Sequence, residues 1–223
     1  MQPARPCRGR VVHGILLSAL ALVLSFAVAA QDRHVTAAGA EGAPSTGGLR
    51  ATAGTPYSGT PAPIPGRIEA ENYDRGGEGV AYHDLSEGNA GGHYRTDNVD
   101  IKISPDGDGG YAIGWFQAGE WLEYTVNVTL TALYDLRLRL GSIYPDRTLV
   151  LTLNGTNIAG AVAVPVVAAW DTPLVTVTVS NVLLRAGTQV LRVTVGPQDW
   201  VDLNWIDFRA HVGTMIRIAG RDQ

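Results

Sequence analysis

A single cysteine, Cys7, stands in this 223-residue chain, so no intramolecular disulfide can staple it. Packing or a bound metal must supply whatever stability a fold here has. Charge is sparse as well. Only 17% of the residues are charged, and 17 Lys and Arg against 21 Asp and Glu leave a formal net charge of −4. The basic residues are scattered, with no patch or stripe, which argues against nucleic acid or an anionic membrane surface as partner. Also missing are tandem repeats and any convincing amphipathic helix, which excludes bundles and doubly wound α/β folds. What the chain does have is 27 glycines, 12 prolines and many short alternating apolar runs.

Residues 1–30, "MQPARPCRGRVVHGILLSALALVLSFAVAA", carry early arginines, an apolar run from Ile15 to Val28 and a small-residue exit. This is the plan of a signal peptide cleaved after Ala30, and the expected location of the mature protein is extracellular. An uncleaved membrane anchor is the alternative for a run of that length. Cys7 falls inside the segment. Residues 31–63, rich in Ala, Gly, Thr, Ser and Pro, lack apolar periodicity and read as a disordered linker. Residues 64–210 are one domain's worth of chain, followed by a tail over 211–223. A monomer with no membrane contact after signal cleavage is expected.

Period-two patterning dominates residues 64–210. "EWLEYTVNV" sets Leu122, Tyr124, Val126 and Val128 against Trp121, Glu123, Thr125 and Asn127. "YDLRLRL" sets Tyr134, Leu136, Leu138 and Leu140 against Asp135, Arg137 and Arg139, and "TLVLTLNGTNI" centres a hairpin on Asn154-Gly155. Short strands with one wet face, punctuated by turns, predict an all-β sandwich. In the last strand, "WVDLNWIDF", Leu203 and Trp205 fall on the face that best suits the core. One segment breaks the economy of charge: in "RIEAENYD" an extended chain turns Glu69 and Glu71 to the same side. Either the pair is a hard-oxygen cation site or it is solvated on an edge strand.

Three stretches in order, "IPGRIEAENYDRGGEGVAYHDLSEGNAGGHYRTDNVDI", "GYAIGWFQAGEWLEYTVNV" and "WVDLNWIDF", resemble the family-6 carbohydrate-binding modules over essentially all of residues 64–210. The resemblance implies a β-jelly-roll that binds a plant, algal or fungal polysaccharide, of the xylan or β-glucan type, and holds a structural calcium ion. It places calcium on Glu69, Glu71 and Asn204, with a backbone carbonyl near Gly88. Asp is the usual residue at position 204, so Asn204→Asp is expected to tighten the ion. Asp207 lies close in sequence but alternation sets it on the opposite face. For the sugar, the resemblance implies a loop-end cleft with Tyr94 and Trp170 as aromatic platforms. Asp202 stands where the family has Asn, a departure that trades a donor and acceptor for an acceptor alone. Trp200 is either a further platform or a loop anchor. Trp115, Glu120, Trp121 and Glu123 are lesser candidates for a second site on the sheet face.

An enzyme is the rival class, since glycosidases work with two carboxylates. Glu120 and Glu123 are three apart on a strand and face opposite ways, and no apolar pocket is evident to raise the pKa of a proton donor. His83, Asp84 and His93 form no patterned transition-metal site, and no nucleophile motif accompanies them. The expected function is non-catalytic binding. Two other readings stay open: an adhesive or structural sandwich, or a fragment of a glycoside hydrolase whose catalytic domain is missing. Asn127 and Asn154 begin glycosylation sequons that matter only where the source glycosylates.

Overall fold

The structure, a computed structural model, describes residues 54–211. The signal-like segment, residues 31–53 of the arm and residues 212–223 of the tail lie outside the described residues.

Alternation becomes two facing sheets. One contains β1 (Ala62–Ile64), β3 (Tyr82–His83), β6 (Trp121–Val128), β8 (Thr148–Leu153), β9 (Thr156–Ala163) and β11 (Gly187–Val195), in the order β1-β6-β11-β8-β9 with β3 also on β6. The other contains β2 (Gly66–Glu69), β4 (Ile101–Ile103), β5 (Tyr111–Phe116), β7 (Ala132–Gly141), β10 (Val175–Leu184) and β12 (Val201–Ala210), in the order β10-β7-β12-β5-β4 with β2 also on β12. The fold is an all-β sandwich of the jelly-roll type. Leu122, Tyr124, Val126 and Val128 of β6 and Tyr134, Leu136, Leu138 and Leu140 of β7 are buried in one core, as their alternation predicts. Each such side chain contributes about 1.5–3 kcal/mol by leaving water. The β8–β9 hairpin turns at Asn154 (φ 48°) and Gly155 (φ 79°), the left-handed pair that a two-residue turn between twisted strands requires.

Two expectations fail in this frame. The pairing of β12 with β7 shifts register between Leu203 and Trp205. Leu203, Ile206 and Phe208 therefore reach the main core, while Trp205 leaves that cluster and is buried instead beneath the Arg67 guanidinium, 4.2 Å from its ring centroid. A β-bulge breaks strict alternation, and a pattern of period two cannot anticipate it. The second failure is the boundary at residue 63. The described chain is packed from Gly54: Thr55 and Arg75 exchange backbone hydrogen bonds of 2.8 Å, and β1 runs parallel to β6 with Ala62 opposite Val126. Pro61 and Pro63 made this stretch read as linker, but β1 is an edge strand, where a missing N–H is tolerated. Ile64, at its end, is fully buried. A chain beginning at Pro65 is expected to melt roughly 5–10 °C below one beginning at Gly54, from the loss of one buried aliphatic side chain and the edge pairing. Thermal denaturation followed by circular dichroism measures this; equal midpoints would show that β1 adds nothing.

Candidate functional site

The neighbours β4, β5 and β12 place Lys102, Gly114 and Asp202 side by side. Lys102 pairs with Ala112, and Leu203 with Ile113. A β-carbon on Gly114 would come within 3.1 Å of Lys102 Cδ and 3.4 Å of Asp202 Oδ1, so glycine there leaves the two side chains room to meet. Lys102 Nζ donates to Asp202 Oδ2 at 2.5 Å and to the Trp170 carbonyl at 3.1 Å. Burial pushes the Asp202 carboxyl up to about 6, with the Lys102 ammonium opposing the rise.

Aromatic walls stand over this pair. Trp115, Tyr144, Trp170 and Trp200, with Lys102 and Asp202, line a pocket of about 300 Å³. The Lys102 ammonium lies 6.0 Å from the Trp115 ring centroid and 5.6 Å from that of Trp170. Tyr144 meets Trp170 edge-on at 6.2 Å. Backbone contacts hold the loops: Trp200 N donates to Phe116 O at 2.9 Å, Ser142 Oγ to Trp200 O at 2.6 Å, and Ala169 N to Thr172 Oγ at 3.1 Å. Trp115 (φ 48°) and Trp200 (φ 76°) both adopt left-handed backbone, a conformation that costs a non-glycine residue about 1–3 kcal/mol.

The structure thus brings Trp170 and Asp202 together and places Tyr94 elsewhere. Tyr94 belongs to a separate surface hollow with Tyr57, Arg75, Arg95, Thr96 and Asp97. Its ring packs on Tyr111 at 4.9 Å and on Tyr57 at 5.8 Å, and its hydroxyl donates to Asn72 Oδ1 at 2.6 Å. The aromatic facing the pocket from β5 is Trp115, which alternation alone assigns to a sheet face. The signal for it was present in "IGWF": a tryptophan beside a glycine, one residue before the strand ends. Trp200 lines the pocket. The other sheet-face candidates are engaged. Glu120 accepts from Leu85 N (2.8 Å) and Gln117 N (2.7 Å), and Trp121 lies under Arg192 (3.8 Å), which is paired with Glu123.

A second, acidic pocket of about 380 Å³ is lined by Arg67, Glu69, Glu71, Asp108, Gly109, Gly110 and Asn204. The strand ends at Glu69, and Glu71 sits in a 3-10 turn, Ala70–Asn72, so the two glutamates reach one pocket by a turn rather than by sharing a strand face. Glu71 Oε2 is sealed from solvent with no hydrogen-bond partner, the only such side-chain atom among the described residues. Burial, together with the charges of Glu69 and Asp108, pushes the Glu71 carboxyl up to about 7. Glu69 is raised too, by burial above all, against the pull of Arg67 and with a smaller push from Asp108. Asn204 Nδ2 faces three oxygens, Ser104 Oγ at 2.9 Å, Asp106 Oδ2 at 2.7 Å and Asp108 Oδ2 at 3.0 Å, which fixes the amide orientation and leaves Oδ1 as its free acceptor. Gly88 is not part of this pocket; its amide donates to Asn98 Oδ1 at 3.2 Å, and the loop Asp108–Gly110 occupies the position expected of it. Asp207 is likewise elsewhere, paired with Arg137 and Arg209. His83 binds Glu78 and His93 packs near Tyr111, so the two histidines do not converge. Among the described residues no three His, Cys, Asp or Glu side chains form a preassembled metal cluster.

A sandwich carrying an aromatic pocket with a polar floor is the architecture of a sugar-binding β-domain. The chain belongs to the carbohydrate-binding module family 6, whose family model matches residues 69–210. Among solved structures it is similar to a β-1,3-glucan-binding family 6 module from Bacillus halodurans, at 25% identity and a TM-score of 0.51, covering 68% of this chain and 100% of that one. A Clostridium stercorarium family 6 module in complex with cellobiose matches at 20% identity and TM-score 0.51, over 69% of this chain and 99% of that one. A Bacillus subtilis arabinoxylan arabinofuranohydrolase in complex with cellotetraose matches at 12% identity and TM-score 0.51, over 68% of this chain but 28% of that one. The last two likenesses bear on the fold alone. No curated protein matches the sequence.

Proposed function

We propose that this chain is a secreted, monomeric, non-catalytic module that binds a β-glucan- or xylan-type polysaccharide in the pocket of Trp115, Trp170, Trp200 and Asp202. The observation that carries the reading is the pair of indoles, Trp115 and Trp170, that line one pocket with the Lys102–Asp202 pair. A pyranose presents faces of C–H groups and an equator of hydroxyls. Flat indoles match the faces, and the Lys102–Asp202 pair meets the hydroxyls. The similarity to the Bacillus halodurans module favours a β-1,3-glucan among the candidate ligands.

Calcium is proposed for the acidic pocket. Glu69, Glu71, Asp108 and the Oδ1 of Asn204 offer the hard oxygens that this ion takes, and the orphaned Glu71 oxygen is the feature that most needs a cation. Bound there, the ion would supply positive charge joining the end of β2, the 108–110 loop and β12.

Hydrolysis is not part of the reading. Asp202 is the single carboxylate lining the aromatic pocket among the described residues, whereas glycosidases flank the scissile bond with two. Affinity electrophoresis and calorimetry against laminarin, mixed-linkage β-glucan, xylan, cellulose and agarose test the proposal. Retention by a β-glucan or xylan with no release of reducing sugar is expected. Release of reducing sugar by pure protein would overturn the non-catalytic reading, and binding to none would favour an adhesive sandwich. Secretion is tested by the N-terminus of exported protein, expected at Gln31.

A further inference from the structure

Lys102 has three N–H bonds and spends two of them, on Asp202 Oδ2 and the Trp170 carbonyl. The third has no partner among the described residues, on an ammonium that lies 6.0 Å from the Trp115 ring centroid and 5.6 Å from that of Trp170. Asp202 mirrors this. Its Oδ2 is taken by Lys102, while among the described residues its Oδ1 accepts no hydrogen bond and the only sealed, unpartnered side-chain oxygen is Glu71 Oε2. Asp202 Oδ1 therefore opens onto the pocket that it lines. The floor offers one spare donor beside one spare acceptor.

We propose that Lys102 is a sugar-contacting, specificity-determining residue, which with Asp202 makes a charge-neutral floor that binds two adjacent hydroxyls of a neutral pyranose and disfavours an acidic sugar. The inference rests on the aromatic pocket being the glycan site. A carboxylate alone accepts hydrogen bonds from a diol but donates to neither of its oxygens; the neighbouring ammonium donates to one. One hydroxyl can then donate to Asp202 Oδ1 while its neighbour accepts from Lys102, so the diol keeps both kinds of hydrogen bond as it leaves water. A uronate would bring a second anion against Asp202 Oδ1. The ammonium, already neutralised at 2.5 Å, has no surplus charge to hold that anion.

Titration calorimetry with laminarihexaose, xylohexaose and the glucuronate form of the gluco-oligosaccharide oxidised at C6 tests this. The proteins are wild type, Trp170→Ala, Lys102→Met, Asp202→Asn and the double variant Lys102→Met with Asp202→Asn, each with its melting temperature. Lys102→Met is expected to weaken binding of the neutral probe about tenfold or more. The double variant should recover most of that loss, because an Asn amide both donates and accepts. Asp202→Asn, which leaves the ammonium uncompensated, should narrow the preference for the neutral over the acidic probe at least about tenfold. Lys102→Met binding like wild type while Trp170→Ala loses affinity would overturn the role of Lys102 and leave the pocket reading standing. Trp170→Ala binding like wild type would overturn both. Should Lys102→Met fail to fold, Asp202→Asn decides: an unchanged neutral-to-acidic ratio overturns the proposal.

Discussion

Chelating calcium should lower the melting temperature by about 10 °C if the ion is present at a thousandfold excess over its dissociation constant, a stabilisation of about 4 kcal/mol in a domain of this size. The prediction rests on an imbalance visible in the acidic pocket. Three carboxylates, Glu69, Glu71 and Asp108, line it, and the Glu71 oxygen that is sealed from water has no donor. Arg67 lines the same pocket but pulls on Glu69 only, and Glu71 remains raised to about 7. In metal-free protein a carboxyl whose folded pKa is raised stabilises the fold below its unfolded value near 4.5, and that contribution is lost as pH rises through about 7. Chelated protein should thus lose stability across this window, whereas with calcium the trend should reverse, because the ion takes the deprotonated form. Glu71→Gln should remove the response to calcium and flatten the metal-free pH profile in the same window. Calorimetric melting with and without chelator at pH 5 and 8 measures both. An unmoved midpoint at pH 8 would overturn the calcium reading and leave Glu71 a buried carboxyl without a cation.

The same pocket reverses an expectation drawn from the resemblance. Asn204 supplies no charge where Asp is usual, so Asn204→Asp looks like a way to tighten the ion. In the fold, however, its Nδ2 is the donor that Asp106, Asp108 and Ser104 share. Hydrogen bonds from Asn204 help hold Asp106 and Asp108 below the usual carboxylate range even though burial opposes this. A carboxylate at 204 would remove that donor and set a third charge against two others, so Asn204→Asp should weaken the site.

What could be read from the sequence follows a physical divide. Alternation reports which residues face the core wherever a strand is regular, so the β6 and β7 faces and the Asn154-Gly155 turn were legible. A register shift is invisible to it, and the one in β12 moved Trp205 out of the main core cluster to a buried place under Arg67 and Arg137. Proline-rich composition reports the absence of internal hydrogen bonding, not the absence of packing, and so it hid β1. Trp170 and Asp202 line one pocket and Glu69, Glu71 and Asn204 another, the grouping that motif order implies. Tyr94 and Gly88 lie in neither, since a glycine-rich loop gives motif position little to anchor on. Lys102 and Asp108 had no signal of their own. Their importance comes from strands and loops distant in sequence, β4 against β12 and the 108–110 loop against the 3-10 turn, and only pairing reveals it.

Trp115→Ala and Trp170→Ala should each weaken glycan binding by about 2 kcal/mol, roughly thirtyfold, the scale of an indole face withdrawn from a sugar. Tyr94→Ala should leave affinity unchanged, because its ring lies in a different hollow among Tyr57 and Tyr111. That contrast separates the two placements of the platform in one set of titrations, and the reverse result would move the site to the Tyr94 hollow. Melting temperatures should hardly respond. Trp115 is 41% exposed, and the contact by which residue 170 holds Lys102 comes from its backbone carbonyl, which alanine retains. One further variant tells binding from folding. At φ 48° an alanine keeps the left-handed strain of Trp115, whereas glycine relieves it. Trp115→Gly should therefore be more stable than Trp115→Ala by about 1 kcal/mol while binding sugar no better. If the glycine variant instead regained affinity, the indole would be acting through the backbone it holds rather than as a platform.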